Sequence, residues 1–164
     1  MSGAAPAAGA LVEAAVRRGL TIGTAESLTG GALAAAVVDV PGASGCFEGA
    51  VVSYSNRVKT EVLGVPAALL AERGSVDPDV AAAMAEGARR VLGTDWAVAT
   101  TGVAGPDPHD GRPVGTVYLG LAGPRGATAL ELQAAGDRAA IRAATVAAAL
   151  ERLTAAILLP DNSQ

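Results

Sequence analysis

The chain has 164 residues, the size of one compact domain. Its formal net charge of −4, with no run of Lys or Arg, gives it no means of releasing counterions from a nucleic-acid backbone or gripping an anionic membrane. Hydrophobic residues make up 51% but aromatics only 2%, so the core must be built from Val, Leu, Ile and closely approaching Ala surfaces.

No apolar run approaches the roughly 20 residues needed to span a bilayer, and the N-terminus lacks a basic start. The single cysteine, Cys46, excludes an intramolecular disulfide and reads as a small buried side chain. A cytoplasmic protein is expected.

In chain order, the segment from about Ala8 to Arg18 places Leu11, Val12, Ala15 and Val16 on one helical face. It ends in Arg17, Arg18 and Gly19, a favourable C-terminus. Leu20 to Thr24 reads as a short strand breaking into Ala25-Glu26-Ser27-Leu28-Thr29-Gly30-Gly31, followed by a small-residue helix from Ala32 to about Val40. After the turn at Pro41-Gly42, Phe47 to Tyr54 reads as a second strand. Ser55-Asn56 then looks like the cap of a helix from about Arg57 to Leu63.

The next helix is expected at Asp77-Pro78, an N-cap followed by Pro at N1, with Val80, Met84, Ala88, Val91 and Leu92 on its buried face and Gly93 ending it. Trp96 to Thr100 is a third strand running into the glycine-bearing loop Thr101 to Asp107. Val114 to Leu121 and Ala127 to Gln133 form a hairpin, and a helix from about Asp137 to Leu158 closes the chain. Helices alternating with strands, then adjacent strands, predict an α/β fold: a single three-layer α/β/α domain with a mixed central sheet.

Ligands in such sheets sit beyond the carboxyl ends of the strands. The loops holding Ser27, Tyr54 to Lys59, and Thr100 to Asp107 occupy those positions. Lys59 is the sharpest signal, because it is the only lysine among 12 basic residues. Lysine offers a proton that burial can make easy to lose, whereas guanidinium stays charged. If Asn56 caps its helix, Lys59 lies in the first turn, where the macrodipole also disfavours a cation. The alternative is an exposed helix lysine.

Ser27 follows a strand and precedes a glycine turn, where backbone N–H groups suit an oxyanion or phosphate. It reads either as a nucleophile or as an ordinary helix N-cap. His109, in Pro108-His109-Asp110 beside Asp107, has only neighbouring loop residues as co-ligands, so no metal site is expected there.

Four segments resemble the CinA C-terminal domain family over nearly the whole chain: Thr24 to Gly31, Val52 to Asn56 with Lys59, Thr101 to Asp107, and Pro113 to Val117. The resemblance implies a nicotinamide-nucleotide amidohydrolase of pyridine nucleotide salvage, converting nicotinamide mononucleotide to nicotinate mononucleotide and ammonia. It implies that Ser27 attacks the carboxamide, Lys59 takes the serine proton, and Tyr54 orients or relays. No metal or cofactor is called for.

By the same resemblance Thr29, Gly30 and Gly31 supply oxyanion or substrate contacts, while Asn56, Thr101, Gly102 and Gly105 line the pocket. Arg138, in a Gly-Asp-Arg motif, and Arg142 one turn later are candidate phosphate anchors, the alternative being solvated helix arginines. Leu28 departs from a position where relatives often carry Cys or a small residue, and the loop Asp107 to Arg112 varies among relatives.

The expected partner is a small nucleotide substrate, with no nucleic acid or membrane, and self-association into a homodimer or higher homo-oligomer is expected. The domain is taken as residues 1–164, with 1–7 and 160–164 as flexible tails. The pyrophosphatase-like activity of the N-terminal domain in longer relatives is expected to be absent. Two other functions fit the sequence: a non-catalytic nucleotide-binding or regulatory domain, and an amidase for a different nucleotide-like amide.

Overall fold

The computed structural model describes residues 3–160. Its sheet has five strands in the order β2-β1-β3-β4-β5. Strand β1 (Ile22–Glu26) lies between β2 (Phe47–Val52) and β3 (Trp96–Gly102) and runs parallel to both. Strands β4 (Thr116–Gly123) and β5 (Gly126–Gln133) extend the sheet antiparallel as a hairpin. The helices are α1 (Ala4–Arg18), α2 (Ala32–Val38), α3 (Asn56–Glu61), α4 (Ala67–Arg73), α5 (Pro78–Leu92) and α6 (Arg138–Leu158).

The alternation of side chains along the strands makes two unlike faces. Ile22, Val98, Val117 and Leu119 point to one side and pack with Leu11, Leu33, Ile141 and Leu150 of α1, α2 and α6. Ala25, Ala97, Ala99 and Ala122 point to the other side, where they meet Val80, Met84 and Ala85 of α5. That second face is built from alanine and glycine, so α5 sits very close to the sheet. A Cβ on Gly120 would lie 2.0 Å from the carbonyl oxygen of Ala81, and a Cβ on Gly87 the same distance from that of Leu63. These contacts leave no room for a side chain, and they give the expected alanine-rich packing its physical form.

The mixed three-layer architecture is the one the sequence predicts, but several boundaries move. Strand β1 begins and ends two residues later than expected, and carries the buried Glu26 at its end. Helix α4 was not foreseen, since seven residues are too few for a clear apolar period. Val16 and Val91 are 47% and 48% exposed, and the buried faces of their helices are carried by Ala8 in α1 and by Ala81 and Ala85 in α5. Alanine weighs little in an apolar pattern yet permits the closest approach.

Ala4 to Ala7, expected in a tail, form the first turns of α1, with Ala8 fully buried. Of the other expected tail residues, 1–2 and 161–164 lie outside the described residues. Among the described residues, no helix is long and apolar enough to cross a membrane.

Candidate active site

Because β1, β2 and β3 are parallel, their carboxyl ends fall on one edge, with Glu26 in register with both Val52 and Thr100. The residues that follow, Ser27, Ser53-Tyr54 and Thr101-Gly102, are thereby brought together. A cavity of about 400 Å³ opens there, its wall including Ser27, Leu28, Tyr54, Thr101, Gly105 and Arg138. That is within the range that holds a small ligand. A larger groove of about 1010 Å³, between α1, α2 and α6, is lined mainly by alanine and lacks converging polar groups. The smaller cavity is therefore the candidate site.

Lys59 is 1% exposed and ranks with the largest fully buried side chains of the protein. Its Nζ donates to Ser27 Oγ at 3.0 Å, to the Ser53 carbonyl at 2.9 Å and to the Tyr54 carbonyl at 3.3 Å. These three partners match the three donors of an ammonium. Once one proton is lost, the two carbonyls still take the remaining N–H groups, leaving the lone pair for Ser27 Oγ.

Burial lowers the lysine pKa from 10.5 to about 8, against a smaller upward pull from the Asp110 carboxylate. The helix dipole is not the cause. Ser55, not Asn56, caps α3, its Oγ accepting from Val58 N at 3.2 Å, and Lys59 is the fourth residue of a short helix.

The turn that presents Ser27 is held from two sides. The Glu26 carboxylate, fully buried, accepts from the backbone N–H groups of Gly31 (3.1 Å), Leu33 (2.9 Å) and Ala34 (3.0 Å). It thus occupies the donors at the start of α2 that an anion would otherwise use. On the carbonyl side, Arg142 Nε donates to Leu28 O at 2.8 Å and Nη2 to Thr29 O at 2.9 Å. The Ser27 N–H donates to Thr100 O at 3.0 Å, and Gly30 N–H to Ser27 O at 3.1 Å. Among the described residues, the N–H groups of Leu28 and Thr29 have no acceptor.

The remaining candidates divide. Tyr54, 64% exposed, lines the cavity, but its hydroxyl accepts from Arg138 Nη2 at 3.3 Å, and only its backbone carbonyl reaches Lys59. Thr101, Gly102 and Gly105 line the cavity, and the Thr101 hydroxyl donates to the Ser75 carbonyl at 2.6 Å. Arg138 reaches the cavity and also donates to Gly105 O at 2.6 Å.

Three expectations do not hold geometrically, those for Asn56, for Gly30 with Gly31, and for Arg142, while that for Thr29 narrows to its backbone N–H. Asn56 is exposed and faces a separate groove with Arg57 and Thr60, because it is the first residue of α3 and turns away from the sheet edge. The Thr29 hydroxyl is buried against Thr100 Oγ1 at 2.8 Å, so any substrate contact from that residue must come from its N–H. The N–H groups of Gly30 and Gly31 are already bound by Ser27 O and Glu26. Arg142 spends its guanidinium on the Ser27 turn and does not line the cavity.

Sequence reasoning missed Ser75 and the cavity-facing side of His109, and it gave no role to Glu26 or Asp110. Asp110 accepts from both Ser75 N and Ser75 Oγ at 2.8 Å, which ties the loop after Pro106 to the short segment between α4 and α5. This holds Asp110 at a positive φ of 50°, and its carboxyl pKa is lowered chiefly by the Ser75 backbone bond. Glu26 did carry a signal, a lone acid between a strand and a glycine turn. Ser75 and Asp110 carried none, being 35 residues apart in the chain.

Residues 4–157 match the model of the CinA C-terminal domain. A CinA-like protein of Frankia casuarinae is 47% identical over 149 residues, covering 91% of this chain and 34% of that protein. A CinA-like protein of Geobacter sulfurreducens is 51% identical over 142 residues, covering 86% of this chain and 34% of that protein. The chain thus spans about a third of the length of the curated relatives it matches.

Among solved structures, a CinA superfamily protein from Klebsiella pneumoniae superposes with a TM-score of 0.90 at 31% identity, covering 94% of this chain and 97% of that one. The competence/damage inducible protein CihA from Agrobacterium tumefaciens gives 0.88 at 36% identity, with 93% and 94% covered. With its fold, its matched segments and these relatives in agreement, the chain belongs to the CinA C-terminal domain family.

Proposed function

We propose that the protein is an amidohydrolase that converts nicotinamide mononucleotide to nicotinate mononucleotide and ammonia, as a step of pyridine nucleotide salvage. The observation that supports this reading is the Lys59 amine, buried, with a lowered pKa, and 3.0 Å from Ser27 Oγ. An amine of that kind can act as a base near neutral pH, and a serine beside it is an activated nucleophile.

Ser27 Oγ attacks the carboxamide carbon while its proton passes to Lys59 Nζ. The unengaged N–H groups of Leu28 and Thr29 are the donors available to the developing oxyanion. The Lys59 ammonium returns the proton to the amide nitrogen, the C–N bond breaks, ammonia leaves, and the acyl group remains as an ester on Ser27. Water, deprotonated by Lys59, then attacks the ester carbon and releases the acid and free Ser27. No step in this sequence needs a metal or redox cofactor.

Arg138 supplies a guanidinium at the cavity wall and is the candidate anchor for the nucleotide phosphate. Tyr54, an exposed ring at the same wall, is suited to orienting the substrate rather than relaying a proton, since its hydroxyl is paired with Arg138.

Incubation with nicotinamide mononucleotide is expected to release ammonia and nicotinate mononucleotide in equal amounts. Tight binding by calorimetry without product would identify a non-catalytic nucleotide-binding domain instead. Turnover of other amides but not this nucleotide would replace the substrate and leave the Ser27/Lys59 chemistry standing.

A further inference from the structure

Arg138 and Arg142 each donate two hydrogen bonds near the cavity, but only Arg142 gives both of them to the backbone. Its Nε and Nη2 grip two consecutive carbonyls, those of Leu28 and Thr29, at 2.8 and 2.9 Å. In a planar trans peptide the C=O and the following N–H point in opposite directions. Fixing the Leu28 carbonyl therefore fixes the Thr29 N–H, and fixing the Thr29 carbonyl fixes the Gly30 N–H, both away from the guanidinium.

The second of these donates to Ser27 O, closing the turn on the side of the nucleophile, while the first has no acceptor among the described residues. Glu26 complements this grip. Its carboxylate takes the N–H groups of Gly31, Leu33 and Ala34, so a buried anion and a half-buried cation hold the same short stretch of backbone without pairing with each other. The outcome is a rigid turn whose free donors lie immediately after Ser27.

Resting on the amidohydrolase reading above, we infer that Arg142 is a positioning residue for catalysis: it holds the Ser27–Gly30 turn so that the nucleophile and the N–H groups after it meet the substrate carbonyl, and it does not bind the substrate phosphate. A planar fork matches two carbonyls one residue apart, which a lysine ammonium satisfies poorly. The role explains why Arg142 and Arg138, one helical turn apart at the start of α6, behave differently, the former turned onto the turn and the latter reaching the cavity.

The test compares Arg142→Lys, Arg142→Ala and Arg138→Ala with the wild-type chain on two substrates, nicotinamide mononucleotide and the same nucleoside without its phosphate. Thermal melts accompany the kinetics to confirm that each variant is folded. Both Arg142 variants are expected to lose kcat on the order of 100-fold, the effect of an ångström-scale misplacement, with KM nearly unchanged and the same loss on both substrates. Added guanidinium ion is expected to restore part of the activity of Arg142→Ala. If Arg142→Ala does not fold, Arg142→Lys carries the same comparison.

A loss confined to the phosphorylated substrate, an effect on KM alone, or full activity in Arg142→Lys would overturn the inference while leaving the amidohydrolase reading intact. Absence of turnover by the wild-type chain on both substrates would overturn the two together.

Discussion

Lys59→Arg is expected to lower kcat/KM on the order of 1,000-fold or more, although it preserves a positive charge. Guanidinium does not give up its proton in this pH range, so Ser27 loses its base. The loss also has a steric component, because Lys59 is enclosed and its Nζ already fills the space between Ser27 Oγ and the carbonyls of Ser53 and Tyr54. Lys59→Met separates the two effects, as methionine fits the slot without offering either charge or base. A comparable loss in Lys59→Met, with melts showing it folded, assigns the effect to the missing amine. Near-normal ammonia release by either variant would remove Lys59 from the chemistry.

Ser27→Ala is expected to reduce turnover by about 10,000-fold or more, the scale on which removal of a covalent nucleophile acts. Its cost to the fold is expected to be small, under about 1 kcal/mol, because the hydroxyl is half-buried and makes one hydrogen bond, to Lys59, which keeps its two carbonyl partners. Chemical denaturation and steady-state kinetics on the same preparation read both quantities. A large loss of stability with only a modest loss of turnover would return Ser27 to the role of a structural turn residue.

Much of this was legible in the sequence, for identifiable reasons. Asp77 followed by Pro78, Gly19 after two arginines, and Gly93 after a long periodic segment all mark helix ends by local chemistry, and the helix ends lie where they indicate. Lys59 stood out by composition and Ser27 by its place after a strand, and parallel strand ends brought the two within hydrogen-bonding distance although they are 32 residues apart.

What could not be read depends on contacts between distant segments. The direction of Arg142 is set by carbonyls more than 110 residues earlier, and one turn of helix separates it from Arg138, which points elsewhere. A first-turn place for Lys59 hinges on which of Ser55 and Asn56 is the cap, a choice one residue wide. The lysine pKa moves in the direction a first-turn dipole would give, but burial produces the shift. The buried Glu26 shows a further limit. An acid at a strand end suggests solvent or a substrate, yet here it satisfies the start of α2, and that is visible only once the backbone N–H groups are placed.

The most direct test of Lys59 as the base is the dependence of kcat/KM on pH. With the lysine pKa lowered to about 8, its neutral form is the minor species below that pH and the major one above it. A group that must be deprotonated to act gives a rate that rises about tenfold per pH unit below its pKa and levels off above it. The expected profile climbs with unit slope toward a bend near pH 8 and then flattens, and a profile flat between about pH 6 and 9 would contradict a lysine base at this site.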